Sequence, residues 1–151
     1  MLRTVVAISA IAMVGAAVAV AQTDPIAQRK AMMKENGKNS GAVNRMIKGE
    51  DPFDAAKARA AFVNWADAAK KLPPLFASAP PAGADTRALP KIWENKADFD
   101  AKLATFGKAA DDSKDKVKTL DELKVAFPTV SKACADCHEA NRRPAPPGQK
   151  K

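Results

Sequence analysis

Cys134, Cys137 and His138 form the pattern C-x-x-C-H near the end of the chain. This pattern is typical of covalent haem attachment, in which each sulfur bonds to one vinyl group of the haem. Residues three apart share one face of a helix, so both thiols can reach the edge of the same macrocycle. His138 is the only histidine of the chain, and its imidazole is a suitable axial ligand for iron. The three residues therefore predict one covalently bound haem c.

The cysteine pair has other chemical uses. In an oxidising compartment the two thiols could form a Cys134–Cys137 disulfide in a haem-free helical module. A zinc site needs four ligands, and two cysteines with one histidine supply too few. A thioredoxin-like redox motif belongs in a βαβ context, which the sequence does not indicate. Haem attachment is the favoured interpretation, and the disulfide is its main alternative.

Residues 1–21 have the features of a secretory signal peptide. Arg3 provides a positive start, residues 5–20 are almost wholly apolar and small, and the segment ends in Ala-Val-Ala, which matches an A-x-A cleavage site. The alternative is a membrane anchor, because the apolar run approaches the length of a membrane span. Cleavage predicts an exported, periplasmic mature chain of residues 22–151 without a further membrane segment.

The full chain carries a net charge of +8, and its lysines are spread along the sequence rather than gathered in one block. This distribution is typical of solvated helix faces. It is also compatible with a positive surface that steers the docking of an acidic redox partner. Nucleic-acid binding is not indicated, because the chain has no tyrosine and only 5% aromatic residues.

Sparse β-branched residues and abundant alanine and lysine predict an all-α protein. Capping and helix-breaking residues predict four helices, at about 25–48, 52–72, 91–113 and from 119 through the haem motif. The second helix is expected to be capped by Asp51, to have Pro52 at its first position and to stop at Pro73-Pro74.

Four amphipathic helices in residues 22–143 predict an antiparallel up-down-up-down four-helix bundle, an architecture that builds cofactor sites between facing helices. The long connection at 75–90 is expected to run along the bundle as a crossover segment, and the alternative is a functional loop. The proline- and lysine-rich residues 144–151 are expected to be a disordered tail.

A second iron ligand is expected from the first helix. In such a bundle the end of the last helix lies beside the start of the first. His138, about 8 Å from the end of its helix, and Met33, about 12 Å into its own, then fall at similar heights. Met32 lies there too, and Met33 is favoured because it shares a seven-residue spacing with Ile26 and Ser40. The alternative is that the methionine only fills a gap in the core.

The chain resembles the class II cytochromes c, the group of cytochromes c′ and c-556, over essentially the whole predicted mature chain. The resemblance rests on the C-terminal position of the C-x-x-C-H motif, on Arg142 four residues after the histidine, on Arg29-x-x-x-Met33 in the first helix and on Pro-Lys-Ile-Trp-Glu at 90–94. Class I cytochromes c carry the motif near the N-terminus instead.

The resemblance implies roles for further residues. Methionine at position 33 is typical of the c-556 branch, with six-coordinate low-spin iron, whereas cytochromes c′ commonly have an apolar non-ligand there and five-coordinate high-spin iron. The resemblance also implies that Arg29 lies near a haem propionate, Glu94 near the haem edge and Arg142 near the histidine ligand. A surface salt bridge, a helix-start glutamate and a partner for the helix dipole are the respective structural alternatives.

The leading hypothesis is an exported monohaem electron-transfer cytochrome with iron held by His138 and Met33. The alternative is a high-spin cytochrome c′ that binds nitric oxide or carbon monoxide, which requires Met33 to point away from the iron. No general base, nucleophile or second metal site is evident, so no enzymatic activity is predicted. We expect acidic redox partners and either a monomer or a homodimer.

Overall fold

The computed structural model describes residues 24–145, which form five helices. The helices are α1 (Pro25–Lys48), α2 (Ala55–Leu75), α3 (Lys91–Glu94), α4 (Lys96–Ser113) and α5 (Leu120–Asn141). The described residues contain no strand, only an isolated β-bridge between Ala88 and Arg142. The predicted signal peptide at 1–21 and most of the predicted tail lie outside the described residues.

The four long helices pack in a ring that follows the order of the chain. α1 packs against α2, α2 against α4, α4 against α5, and α5 returns to α1. Met33 near the start of α1 and Cys137 near the end of α5 pack against the same apolar cluster. The fold is therefore the predicted antiparallel up-down-up-down bundle, and none of its described helices is long and apolar enough to cross a membrane.

The first and last long helices begin where their capping residues predict. The Asp24 carboxylate accepts a hydrogen bond from the Ile26 N–H at 2.8 Å, and Pro25 occupies the first helical position of α1. At α5, Thr119 and Glu122 form a reciprocal capping box. α1 carries Met33 and α5 carries His138. The residue at which each helix begins therefore determines how far along the bundle its predicted iron ligand lies.

The second helix begins later than predicted. Asp54 rather than Asp51 caps α2, and its carboxylate accepts a hydrogen bond from the Lys57 N–H at 3.0 Å. Asp51 instead forms an ion pair with Arg45 at 2.7 Å. Aspartate occurs at both positions, and capping preference alone does not distinguish them.

The helix predicted at 91–113 is divided at Asn95. Asn95 has φ −132° and ψ 65°, and its side chain accepts a hydrogen bond from the Asp98 N–H at 3.3 Å. Asparagine is a favourable N-cap residue, so a new helix is capped here instead of the old one continuing. The break leaves Ile92 of α3 and Phe99 of α4 in one apolar cluster.

α2 continues through Pro73 and Pro74 and ends at Leu75, slightly beyond the predicted stop. Proline removes an N–H donor, but its φ is compatible with a helix, so the last turn can be completed. Phe76 follows as the C-cap residue, and its N–H donates to the Pro73 carbonyl at 3.1 Å. The buried Phe76 ring is thereby held at the end of the bundle.

Two apolar clusters fill the bundle. In the larger one the Trp65 ring meets Phe62 edge-on at 5.0 Å and stacks on Phe127 at 5.8 Å. The smaller cluster lies where α1 begins and α5 ends, and it consists of Leu72, Phe76, Ile92, Phe99 and Leu103. This smaller cluster forms much of the apolar wall of the candidate site.

Candidate functional site

A cavity of about 170 Å³ lies where α1 begins and α5 ends. Its apolar wall comes mainly from the smaller cluster and from Ile26 and Ala88. The charged, polar and sulfur-containing residues that line it are Arg29, Lys30, Met33, Thr86, Arg87, Cys137, His138, Asn141 and Arg142. The cavity therefore joins residues from α1, from α5 and from the long connection before α3.

Residues 85–89, which we call the strap, close one side of the cavity. The Leu89 N–H donates to the Asn141 carbonyl at 3.0 Å, and the Arg143 N–H donates to the Arg87 carbonyl at 2.8 Å. Asp85 forms an ion pair with Lys30 of α1. The strap is thus attached to both helices that line the cavity.

The C-x-x-C-H residues lie in the last turns of α5, as predicted. Cys137 and His138 line the cavity, whereas the half-buried Cys134 packs against the larger apolar cluster one turn earlier. Both cysteines are free thiols. Burial raises the pKa of Cys134 to about 11, and the neighbouring Cys137 adds to this shift. Burial also raises the pKa of Cys137, so both thiols are protonated at neutral pH.

Asn141 is a site residue that sequence reasoning missed. Its side chain is buried in the cavity wall, and the amide nitrogen donates to the Cys137 carbonyl at 3.0 Å and lies 4.0 Å from the Cys137 sulfur. The Asn141 carbonyl accepts the bond from the strap. Its spacing of four residues after Cys137, one helical turn, is the signal that could have found it.

Met33 lines the cavity and Met32 does not. Both side chains are half-buried and pack against the smaller cluster, so the difference lies in which of them borders the open space. Met33 and His138 border this space from antiparallel neighbouring helices. The cavity therefore has one candidate ligand from each of these two helices.

Arg29 is buried on α1 at 6% exposure. Its Nε donates to the Pro25 carbonyl at 3.2 Å, and its guanidinium lies over the Phe76 ring, 4.4 Å from the centroid. Burial lowers the pKa of Arg29, and the negative charge of Asp24 partly opposes this shift. The Nη1 atom is buried and has no hydrogen-bond partner among the described residues.

The unpartnered Arg29 nitrogen is a test of whether a haem suits this cavity. A buried donor on a charged group is costly unless an acceptor meets it. A haem presents two carboxylates at one edge, and a carboxylate is the acceptor that matches a guanidinium. A covalently bound haem also requires thiols, a nitrogen ligand for its iron and an apolar wall. The same end of the bundle supplies all three. The residues present therefore fit the group.

Arg142 and Arg87 lie on neighbouring sides of the cavity. Arg142 follows α5, four residues after His138, and Arg87 lies in the strap. Burial lowers the pKa of Arg142, and the like charge of Arg87 adds to this shift. Sequence reasoning missed Arg87, for which the long connection itself is the only signal.

Glu94 is not brought to the cavity. It lies exposed at the end of α3 and is not among the lining residues. The break at Asn95 ends this short helix directly after it. The alternative, a helix-start glutamate, is compatible with the position of Glu94 in the first turn of α3.

Comparison with known proteins points to one family. Residues 24–142 match the sequence profile of the family described as Cytochrome C′. Cytochrome c-556 from Rhodopseudomonas palustris is 39% identical over 143 residues, which cover 92% of this chain and 95% of the relative. Cytochrome c′ from the same organism is 42% identical over 132 residues, which cover 87% of this chain and 90% of the relative.

The fold agrees with this sequence similarity. The solved structure of cytochrome c′ from Rhodopseudomonas palustris matches this chain with a TM-score of 0.78 at 41% identity. The match covers 83% of this chain and all of the other. The similarity to this family is therefore found at the level of both sequence and structure.

Proposed function

Because the chain belongs to the cytochrome c′ family, we propose that it is an exported electron-transfer cytochrome whose haem iron is held by His138 and Met33. Membership confirms the predicted class II cytochrome c, the four-helix bundle and the covalent haem c. The family consists of electron-carrying or gas-binding haem proteins rather than enzymes. Relatives named cytochrome c-556 and cytochrome c′ are both similar to this chain, so family membership alone does not decide between electron transfer and gas binding.

Cys134 and Cys137 fix the position of the cofactor. Thioether bonds from these two sulfurs to the vinyl groups would hold the haem to α5. When bound, the haem would supply one iron that exchanges a single electron between its ferrous and ferric states. His138, directly after the second cysteine, would offer its imidazole nitrogen to the iron, so one helix would supply both the covalent attachment and one iron ligand.

The position of Met33 carries the low-spin assignment. Its side chain borders the cavity that His138 also borders, from the antiparallel helix α1. A thioether is a neutral ligand that raises the reduction potential relative to a second imidazole. Two protein ligands also leave little to rearrange when an electron arrives, which suits electron transfer.

Two arginines support the binding of the haem carboxylates and the histidine. The Nη1 donor of the buried Arg29 has no partner among the described residues, and a haem carboxylate would supply an acceptor for it. Arg142 follows the end of α5 beside the cavity, close in sequence to His138. We infer a propionate contact for Arg29 and a position near the histidine ligand for Arg142, and we assign no cofactor contact to the exposed Glu94.

An optical spectrum of the purified protein tests the proposal. We expect low-spin ferric iron in the wild type and high-spin iron after Met33→Ala, because this variant removes the sixth ligand. Met32→Ala is the matched control, since it deletes an equal side chain that does not line the cavity. A switch to high spin in Met32→Ala instead would show that the other methionine is the ligand.

A gas-binding function is the second candidate. It is favoured by the 42% identity to a protein named cytochrome c′ and by the apolar wall of the cavity. This function requires five-coordinate iron, with Met33 off the metal. A high-spin ferric spectrum in the wild type, together with ready binding of carbon monoxide to the ferrous protein, would replace the electron-transfer assignment with this one.

The export of the chain is part of the proposal. Homologous cytochromes c′ and c-556 are periplasmic proteins. We infer that residues 1–21 are removed on export, that the mature protein meets acidic redox partners there, and that it is a monomer or a homodimer. N-terminal sequencing of the periplasmic protein tests the cleavage, with Gln22 expected as the first residue.

A further inference from the structure

Three arginines meet where the strap joins the end of α5. Arg87 belongs to the strap, and Arg142 and Arg143 directly follow α5. We call these three residues the arginine cluster. Arg87 and Arg142 line the cavity, and Arg143 is exposed beside it. The cluster is therefore part of the rim of the haem site.

Hydrogen bonds hold the cluster in place. Nε and Nη2 of Arg87 donate to the Arg143 carbonyl at 2.8 and 2.6 Å. In return, Nη2 of Arg143 donates to the Thr86 carbonyl at 2.5 Å, and its backbone N–H donates to the Arg87 carbonyl. Two segments that are far apart in the sequence are thus joined by reciprocal contacts. The side chains of Arg87 and Arg143 are therefore held in place before a partner binds, which reduces the entropy lost on binding.

These contacts do not neutralise the charges. Every acceptor just described is a backbone carbonyl, and none of the three arginines has an acidic partner within residues 24–145. Elsewhere in the same residues twelve ion pairs join lysines or arginines to carboxylates, including Lys30 with Asp85 of the strap. The cluster is therefore a local excess of positive charge in a molecule that pairs most of its charges.

We propose that the arginine cluster is the docking surface for an acidic one-electron redox protein. The proposal rests on the proposed electron-transfer function and names the surface where exchange takes place. Carboxylates of the partner meet the three guanidinium groups, for which residues 24–145 supply no counter-ion. One electron then leaves the partner, which is oxidised, as the haem iron beside the cluster is reduced from ferric to ferrous.

The rate of reduction by a plant-type [2Fe–2S] ferredoxin, a small acidic protein that donates one electron, tests the surface. The holoprotein and its variants are mixed with reduced ferredoxin in a stopped-flow instrument over a range of ionic strengths. The double variant Arg87→Gln/Arg143→Gln should reduce the bimolecular rate constant roughly 3- to 10-fold at low salt and flatten its salt dependence. The single variant Arg143→Gln should reduce the rate constant less. It serves as the test if loss of Arg87 disturbs the strap, because Arg143 does not line the cavity.

The matched control is Lys116→Gln/Lys118→Gln. It removes the same number of charges in the segment before α5, at the opposite end of a helix about 33 Å long. This length is about three Debye lengths at 0.1 M salt but only about one at 0.01 M, so the two double variants are compared at 0.1 M. The rate of this control should stay within about twofold of the wild type. Equal losses in both double variants would show that only net charge matters and would overturn the proposal, as would no loss in either.

A neutral reductant separates docking from effects on the cofactor. Reduction by hydroquinone should be unchanged in Arg143→Gln, because the Arg143 side chain does not line the haem cavity. Slower reduction by hydroquinone as well would mean that the cluster holds the haem carboxylates rather than a partner, and this result overturns the docking surface. The spin state decides the proposed function separately, because a high-spin spectrum refutes the methionine ligand whatever the salt dependence shows.

Discussion

The guanidinium group of Arg29 lies over the ring of Phe76, 4.4 Å from its centroid, inside the wall of the haem cavity. Phe76 is itself held at its ring and at its backbone. Phe99 contacts it at 4.7 Å between centroids, and the Phe76 carbonyl accepts a hydrogen bond from the Trp93 indole at 3.0 Å. The face of the ring thus gives a fixed support to a buried cation whose Nη1 has no partner among the described residues.

Replacing Phe76 with leucine should disturb Arg29 without emptying the core. Leucine keeps the apolar contact but lacks the negative face that attracts a cation, an interaction of about 0.5–2 kcal/mol. A less fixed positive charge near the haem stabilises ferric iron relative to the wild type, so the reduction potential should fall. A spectroelectrochemical titration measures the change, and Phe99→Leu is the control because that ring lies beside Phe76 and not under the arginine.

Removing the charge of Arg29 itself gives the shift in reduction potential with which the Phe76→Leu shift is compared. Arg29→Gln should lower the potential by roughly 20–60 mV, where 59 mV is a tenfold change for one electron. The Phe76→Leu shift should have the same sign and be smaller. If Arg29→Gln leaves the potential unchanged, Arg29 does not act on the haem carboxylates, and any effect of Phe76→Leu is one of packing.

Asn141 should be needed for the stability of the motif-bearing end of α5. Asn141→Ala removes the donor to the Cys137 carbonyl, a bond with a net contribution of about 1 kcal/mol. It also opens a gap in a wall where Asn141 is 4% exposed. Thermal unfolding of the holoprotein should show a lower Tm. The control is Glu139→Ala, on the exposed face of α5. Ala140→Gly, directly before Asn141, is a poor control because glycine weakens the helix itself.

The haem site could be read from the sequence where chemistry and helix geometry agree. Cys134, Cys137 and His138 form a local pattern, and their place at the end of the last helix also predicts the neighbourhood of Met33. Asn141 could have been found in this way, because it lies one helical turn after Cys137. Arg87 could not, because it reaches the cavity only where the strap pairs with the end of α5.

The helix boundaries, too, could be predicted from the sequence only in part. Asp24 and the Thr119 box are unambiguous capping signals, and both helices begin there. Asp51 and Asp54 are equally good caps, and Asn95 competes with continuation of its helix, so local preference does not decide between the alternatives. Tertiary packing selects among such local choices, and a single sequence does not contain that packing explicitly.

Gly107 should be intolerant of a side chain. A Cβ atom there would lie 2.8 Å from the Cβ of Ala69, so α4 and α2 would have to separate. Gly107→Ala should therefore destabilise the protein although alanine is the better helix former by about 1 kcal/mol. Gly37→Ala is the matched control, since nothing lies within 4 Å of its Cβ position, and it should be neutral or stabilising.

Ala69→Gly in the Gly107→Ala background should restore part of the lost stability by removing the opposing methyl group. Chemical denaturation of the four proteins completes a double-mutant cycle. If the two substitutions were simply additive, the close approach of the helices would not be the cause of the destabilisation.

Asp54 rather than Asp51 should respond to acid as the cap of α2. The Lys57 backbone N–H, its largest influence, lowers the pKa of Asp54. A carboxyl group whose pKa is lowered by folding stabilises the folded protein at pH values above its unfolded-state pKa of about 3.9. This stabilisation is lost as the pH falls through the pKa of the folded state. Asp54→Ala should therefore lower the Tm at pH 7, and the difference from the wild type should shrink below about pH 4.

The variant Asp54→Asn separates the hydrogen bond from the charge. Asparagine is an equally favourable cap, so at pH 7 it should retain most of the stability that alanine loses, and its Tm should follow the pH less steeply than that of the wild type. Asp51→Ala is the control, because it removes only an ion pair with Arg45 whose side chains are 45% and 51% exposed, a contact of little net value. A larger loss of Tm in Asp51→Ala than in Asp54→Ala would place the start of α2 where the sequence pattern alone predicts it.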